Sequence, residues 1–155
     1  MKEIRPFTAT EVAIANPVIR VMSRLNTWAY RLSGGRLFGR WLHGEPIGLV
    51  TVTGRKTGRK LTVPLVYLRD GERVIVVASK GGMDAHPLWY GNMMAHPEVE
   101  VQIGAEVRRM RARTADAAER AHYWPKLVAL NRDFDAYQAR ARRAREIPVV
   151  ILSPA

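Results

Sequence analysis

The residues with the clearest chemical potential form a glycine-rich basic run, Gly54-Arg55-Lys56-Thr57-Gly58-Arg59-Lys60. Glycines let a backbone turn tightly and expose its N–H groups, and those groups attract anions together with nearby cationic side chains. Arginine matches phosphate or carboxylate oxygens with a planar fork, and lysine adds an adaptable point charge. The run lacks the Walker order GxxxxGK[ST], and a strand follows it. It is either a polyanion-binding loop or the solvated tip of a hairpin.

A second candidate segment begins with Ala78-Ser79-Lys80-Gly81-Gly82, at the end of an apolar stretch. His86-Pro87 then marks the start of a helix, whose free N–H groups and dipole favour an anion. Trp89 and Tyr90 follow in the first turn and offer flat apolar area on which a ring could stack. Aromatic residues at a helix start also commonly belong to a core.

The sequence offers little for metal or nucleophilic chemistry. It contains no cysteine. The four histidines, His43, His86, His96 and His122, lack the spacing of metal ligands, so we expect no metal. Neither a GxSxG elbow nor an obvious nucleophile–base pair is present. Any redox chemistry would therefore come from a bound organic cofactor.

The charge distribution also favours an anionic partner. The 155 residues carry a net charge of +11, and residues 47–83 hold seven cations against two anions. Such a field attracts nucleic acid, acidic lipid or a small polyanion, although a basic soluble surface is the simpler alternative. The length fits one domain.

Hydrophobic periodicity predicts an α+β fold with a barrel-like or strongly curved sheet. The strands are expected at Ile47–Thr53, Leu61–Arg69, Val74–Ser79, Val99–Ile103, Val107–Ala112 and Pro148–Leu152. Asp70-Gly71 predicts a hairpin. Helices are expected at Pro87–Ala95, Asp116–Leu130 and Asp133–Arg145. Asp116 and Glu119 form a capping-box pattern at the start of the second helix.

The N-terminal segment predicts an amphipathic helix. Asn16-Pro17 is a start signal and Gly34-Gly35 an end signal. The helix either packs on the core or lies on an anionic membrane. No signal peptide or membrane span is expected, and the cytoplasm is the default location, with peripheral contact at the inner face of the membrane. We divide the single domain into a helical segment, 1–35, and a barrel, 36–155.

Several blocks together resemble one protein family. Their order is RLSGGRL, TVTGRKTGRKLTVPLVYLRDGERVIVVASKGG, HPLWYGNMMAHPEVEVQIGAEV, AERAHYWPKLVAL and REIPVVILSP. These blocks, which span Arg31 to Pro154, resemble the deazaflavin (F420)-dependent nitroreductases and F420H2-dependent quinone reductases of actinobacteria. The resemblance implies an FMN-binding split-barrel-like fold and the coenzyme F420, an 8-hydroxy-5-deazaflavin whose tail holds a phosphodiester and several glutamates.

The resemblance also implies site residues. The acidic tail would be met by Arg55, Lys56, Arg59, Lys60 and Lys80, with Thr57 and Gly58 in the same turn. The deazaflavin ring would be lined by Thr62, Val63, Pro64, Val77, Ala78 and Ser79, with Trp89 and Asn92 closing the pocket. In the family pattern the second basic position lies near Leu61, so Arg59 and Lys60 depart from it.

The implied reaction is hydride transfer to a conjugated acceptor. Ser79 could stabilise charge that develops on the acceptor, and Tyr137 could deliver a proton or be simply a packed helix aromatic. Nitroimidazole-activating relatives carry three tyrosines where this chain has Asn131, Phe134 and Tyr137. We therefore expect quinone acceptors and poor nitroimidazole reduction.

Two other functions are compatible with parts of the pattern. An FMN-binding protein of the same barrel type would share the phosphate-binding logic but need fewer cations. A basic nucleic-acid-binding barrel would need aromatic residues among basic ones along its strands. Here Trp89, Tyr90, Tyr123 and Trp124 fall on predicted helices, so we expect no nucleic-acid partner. The number of subunits stays open.

Overall fold

In the computed structural model, which describes residues 8–41, 44–142 and 144–155, the described residues form a closed barrel of six antiparallel strands with four α-helices. The strands are β1 (Ile47–Thr53), β2 (Lys60–Asp70), β3 (Arg73–Val77), β4 (Glu98–Ile103), β5 (Glu106–Thr114) and β6 (Val149–Pro154). The helices are α1 (Ala9–Ser33), α2 (Leu88–Ala95), α3 (Ala117–Leu130) and α4 (Asp133–Ala141). The barrel order is β1-β2-β3-β6-β5-β4. This architecture confirms the predicted α+β barrel.

Two apolar layers hold the barrel together, one inside it and one outside. Val76 and Leu152 point into the barrel interior, where they pack with side chains from the four remaining strands. Their neighbours Ile75 and Ile151 point outward and pack against Leu127 of α3. Because β3 and β6 are covered on both faces, their sequences read as continuous apolar runs instead of alternating ones.

The start of α1 was predicted wrongly. The helix begins at Ala9, where the Thr8 side chain accepts the N–H of Glu11 and the Glu11 carboxylate accepts the N–H of Thr8. This reciprocal capping box satisfies the backbone N–H groups of both residues and so fixes the start of the helix at Ala9. Pro17 lies inside the helix. Asn16-Pro17 is therefore an internal site, not a cap.

The end of α4 also differs from the prediction. The helix ends at Ala141, not at Arg145. The chain must next reach β6 through Ile147-Pro148, and a residue before proline favours extended backbone. The α3 prediction is confirmed, including the capping box that Asp116 and Glu119 form.

Helix α1 attaches to the barrel mainly through its C-terminal end. Tyr30 is 1% exposed and packs on Ile47 and Leu49 of β1. Its hydroxyl accepts the N–H of Gly104 at 2.8 Å. Other apolar side chains, which recur at helical spacing along α1, form an apolar stripe that faces outward. Its exposed members are Val18, Val21, Met22, Leu25, Trp28 and Leu32, which are 54–69% exposed. Across the described residues, the helices are too short or too polar for any of them to traverse a bilayer.

Candidate active site

The basic run forms a tight turn between β1 and β2. The N–H of Gly54 donates to the carbonyl of Arg59 at 2.8 Å, and the N–H of Gly58 donates to the carbonyl of Gly54 at 2.8 Å. Gly58 has φ +68°, and a Cβ there would meet open space. The turn therefore closes on its own backbone, and residues 55–60 are exposed at its surface.

Helix α2 contacts this turn and stabilises it. The Asn92 side chain is buried, and its Oδ1 accepts the backbone N–H of Arg55 at 3.1 Å. The Arg55 guanidinium lies across Gly91, where a Cβ would overlap it. Asn92 thus anchors the first cation of the turn to a helix that is itself anchored in the barrel core through Met93.

The turn concentrates positive charge. The side chains of Arg55, Lys56, Arg59 and Lys60 are exposed, and Lys60 Nζ donates to Thr53 Oγ1 at 2.9 Å. No acidic residue occurs in the sequence between Pro46 and Arg69. Because exposed like charges lie within a few residues of one another, an anionic ligand would lower the free energy of the turn.

Strand β2 leaves an open edge next to the turn. Its register with β1 covers residues 60–66, whereas its ladder with β3 begins only at Tyr67. Pro64 lies in the first half, where its missing N–H removes no bond to β3. The Thr62 hydroxyl contacts Thr51 Oγ1 at 2.7 Å and accepts from the Arg31 guanidinium at 2.7 Å.

The three predicted ring-lining residues of β2 do not share one face. Val63 packs into the barrel interior, whereas Pro64 lines an outer groove with Asn26, Trp41 and other residues. Side chains alternate along a strand, so Thr62 lies on the same face as Pro64. Only the backbone of Val63 is therefore available to a ligand on that outer face.

The segment after β3 forms a short 3-10 turn at Lys80–Gly82. Val77 and Ala78 are buried in the two apolar layers, and Ser79 and Lys80 are partly exposed. Lys80 has φ +44°, a conformation that few residues with a side chain adopt. Of the predicted residues in this segment, Ser79 and Lys80 can offer side-chain groups to a ligand.

Two arginines that the sequence analysis missed hold this segment in place. Arg140 Nη1 donates to the carbonyl of Gly81 at 2.8 Å. The Arg145 guanidinium donates to the carbonyls of Ala78, Ser79 and Met83 at 2.8–3.1 Å. Both arginines belong to a sequence run, ARARRAR, that only suggests a solvated helix face. Their partners lie 59–67 residues away, so no local pattern could reveal them.

Besides Val77, Ala78 and Asn92, three more of the predicted site residues are largely buried. Trp89 is 9% exposed and packs inside the barrel. Asn131 is 9% exposed, and its Oδ1 accepts the N–H of Asp133 at the start of α4. Phe134 is 4% exposed and belongs to the outer apolar layer. Their side chains stabilise the fold, and their part in ligand binding stays a prediction.

Among the predicted acceptor-side residues, Tyr137 is the least buried. It is half-buried on α4, and its backbone lies against Gly82, where a Cβ would come 2.5 Å from the Tyr137 carbonyl oxygen. Burial raises the pKa of the Tyr137 hydroxyl, and the carboxylate of Asp133 raises it further, whereas the Arg140 guanidinium lowers it and Glu45 raises it. The hydroxyl stays protonated near neutral pH, but the raised pKa makes it a weaker acid than a free tyrosine, and its role as a proton donor stays a prediction.

The described residues include no group of three histidine or acidic side chains that could hold a metal ion. His43 lies outside the described residues. The donor set instead fits an organic polyanion, because the exposed cations gather at the open edge of β2. That arrangement suits the acidic tail that the resemblance implies for F420.

Comparisons with known proteins agree with the resemblance. The sequence profile of the F420H(2)-dependent quinone reductase family matches residues 22–154. An F420H(2)-dependent quinone reductase of Mycobacterium tuberculosis is 35% identical over 133 residues, which cover 84% of this chain and 88% of that protein.

Solved structures give the same result. An F420-H2 dependent reductase (FDR-A) is 40% identical, with a TM-score of 0.64 over 70% of this chain and 94% of that one. A chain described as a domain-swapped dimer is 32% identical, with a TM-score of 0.67 over 94% of this chain and 100% of that one. The chain therefore belongs to the F420H(2)-dependent quinone reductase family.

Proposed function

We propose that this chain transfers a hydride from reduced coenzyme F420 to a quinone. Membership of the family supports this reaction. The observation that carries it to this chain is the basic turn between β1 and β2, which presents Arg55, Lys56, Arg59 and Lys60 beside the open edge of β2. These cations would bind the phosphodiester and glutamates of the coenzyme tail, and Lys80 would approach from the second segment.

The chain's own residues would orient the reactants and manage the proton. The reduced coenzyme supplies the hydride. Reduction of a quinone to a hydroquinone needs one hydride and one proton for each two-electron step. Tyr137 is the candidate donor of that proton, because its backbone lies against Gly82 in the second segment and its hydroxyl is protonated near neutral pH. Ser79 could donate a hydrogen bond to the acceptor oxygen on which charge develops.

The acceptor side favours quinones over bicyclic nitroimidazoles. Of the three positions where nitroimidazole-activating relatives carry tyrosine, only Tyr137 retains a hydroxyl here, and Asn131 and Phe134 are buried. We expect turnover with a soluble quinone to exceed turnover with a nitroimidazole by at least about tenfold, because the latter lacks most of its hydrogen-bonding partners. Equal turnover of the two acceptors would contradict this preference.

Charge reversal in the basic turn tests coenzyme binding. Lys56→Glu should weaken F420 binding by about tenfold, because each exposed ion pair contributes about 0.2–1 kcal/mol and reversal adds repulsion. Lys126→Glu makes the same charge change on the exposed face of α3 and serves as the control. Quenching of coenzyme fluorescence measures the affinity.

The salt dependence separates the possible outcomes of this experiment. Binding to the wild type should weaken as salt rises, and the Lys56→Glu variant should show a shallower dependence. If Lys56→Glu and Lys126→Glu bind F420 equally well, the basic turn does not hold the tail. If the wild-type protein binds no F420, the proposed reaction is wrong.

We further propose that α1 places the protein on an anionic membrane surface, where prenylated quinones reside. Its exposed apolar stripe would enter the interface between headgroups and acyl chains. The exposed cations Arg20, Arg24 and Arg31 provide charge complementarity to anionic headgroups. Tyr30 would keep the helix attached to the barrel while the stripe contacts lipid.

Vesicle sedimentation tests this placement. The wild type should sediment with phosphatidylglycerol-containing vesicles and less with purely zwitterionic ones. The double change Leu25→Gln and Trp28→Gln should release it, whereas Leu88→Gln, which alters an exposed leucine on α2, should not. If the wild type ignores vesicles and these two changes convert a dimer into a monomer, the stripe is a contact between subunits.

A further inference from the structure

We propose that Arg145 is a positioning residue of the coenzyme site, and that it sets the conformation in which Ser79 and Lys80 face the ligand. This inference rests on the proposed function, since it assumes that segment 78–83 contacts F420. Arg145 lies in the connection between α4 and β6, and it contacts a segment that precedes it by 62–67 residues in the sequence.

The contacts of Arg145 are unusually complete for one side chain. Nε donates to the carbonyl of Met83 at 2.9 Å, and Nη2 donates to the carbonyl of Ser79 at 2.8 Å. Nη1 donates to the carbonyl of Ala78 at 3.1 Å and lies 3.0 Å from Nδ1 of His86. All three guanidinium nitrogens are thereby engaged with one short segment.

This set of acceptors requires arginine. The planar guanidinium carries donors in a fixed fork, so three carbonyls at different angles can be bound together. A lysine ammonium has three donors on one atom, so it cannot reach three carbonyls that are spread around the edge of a planar guanidinium. Hydrogen bonds to a charged donor are stronger than neutral ones, especially when they are partly buried as here.

The segment needs such support because its own conformation is unfavourable. Lys80, Gly81 and Gly82 all have positive φ, at +44°, +62° and +78°. A residue with a side chain disfavours that region, so Lys80 would tend to relax if the surrounding contacts were lost. Arg140 secures the Gly81 carbonyl, and Arg145 secures the residues on either side of the turn.

The consequence is that Arg145 and α4, which come from the C-terminal part of the chain, determine the geometry of segment 78–83. Ser79 presents its carbonyl to Arg145, and this contact fixes the direction of the following Lys80 side chain. A second contact links segment 78–83 to α4, because the backbone of Tyr137 lies against Gly82. Loss of Arg145 should therefore act on ligand binding more than on the barrel.

The test uses Arg145→Gln, Arg145→Lys and Arg145→Ala, with Arg142→Gln as the matched control. Arg142 is exposed at the end of α4. Arg145→Gln should weaken F420 binding by about tenfold, Arg145→Lys by less, and Arg142→Gln not at all. Coenzyme fluorescence measures the affinity, and urea denaturation measures the stability of each variant without ligand.

Two readouts distinguish positioning from a purely structural role. Low millimolar guanidinium should restore part of the F420 affinity of Arg145→Ala, because the cation can occupy the vacated space. In steady state, KM for the coenzyme should rise more than kcat falls, whereas partial unfolding would lower apparent kcat at constant KM.

The inference is overturned if the Arg145 variants bind F420 as tightly as the wild type. It is also overturned if binding falls only in proportion to the unfolded fraction and guanidinium restores nothing. A wild-type protein that binds no F420 would refute the proposed function instead, so the two failures are distinguishable.

Discussion

The substitution Gly82→Ala should destabilise the protein by displacing α4 from segment 78–83. Gly82 has φ +78°, and a Cβ there would lie 2.5 Å from the carbonyl oxygen and 2.9 Å from the Cα of Tyr137. Both obstructing atoms belong to the backbone, so no side-chain rotation can relieve the overlap. The helix or the loop has to move.

The expected magnitude has two parts. A residue with a side chain in the left-handed region costs about 1–2 kcal/mol. Overpacking against a well-packed neighbour adds about 1–3 kcal/mol. The total free energy of unfolding should therefore fall by about 2–5 kcal/mol, which corresponds to a decrease in Tm of roughly 4–20 °C for a domain of this size.

Gly71→Ala supplies the matched control. Gly71 has φ +58° in the β2–β3 hairpin, and a Cβ there would meet no atom within 4 Å. Its substitution should cost only the conformational part, about 1–2 kcal/mol. Urea denaturation followed by circular dichroism measures both variants. If the two substitutions destabilise the protein equally, the tight approach of α4 to Gly82 does not exist in solution.

Three further predictions concern other parts of the fold. The side-chain hydrogen bond from Arg113 and, to a smaller extent, the N–H of Asp116 lower the pKa of Glu119 from 4.5 to about 2. The stabilisation from Glu119 is therefore present above pH 4.5 and is lost as the pH falls toward 2. Glu119→Gln should flatten the pH dependence of the free energy of unfolding between these values, and an unchanged pH dependence would contradict the pairing. Tyr30→Phe should lower stability by about 1–3 kcal/mol in urea denaturation, because it leaves a backbone N–H unpaired, and a neutral effect would show that this bond is not formed. Leu127→Ala should cost about 2–5 kcal/mol by thermal or urea unfolding, because the side chain is 1% exposed between α3 and the barrel, and a loss below 1 kcal/mol would mean that the site collapses around the cavity.

Local patterns in the sequence were sufficient to predict most of the secondary structure. Alternating and continuous apolar runs predicted all six strands to within a few residues, because a strand's faces are encoded by its own side chains. The capping box at Asp116 predicted the start of α3, since both partners lie within one helical turn. The start of α1 was predicted wrongly although its capping box at Thr8 is equally local, because Asn16-Pro17 also has the pattern of a helix start while lying inside the helix.

The basic turn was also evident from the sequence, because its glycines and cations are contiguous. Its support was not, because Asn92 comes from a helix 37 residues away. Likewise, the residues proposed to line the ring were adjacent in sequence, yet alternation along β2 sends Val63 inward and Pro64 outward. Adjacency in a strand does not place two side chains on one surface.

The sequence by itself determined the fold class, the family and the location of the positive charge, since these depend on composition and short-range order. The tertiary structure alone decided that the apolar stripe of α1 faces outward and that Trp89 is buried in the barrel core. It also decided that Arg145 binds the segment that carries Ser79 and Lys80. Each of these depends on contacts between residues far apart in the chain. Such contacts form only when the barrel closes, and no local pattern encodes which distant partner a side chain will meet.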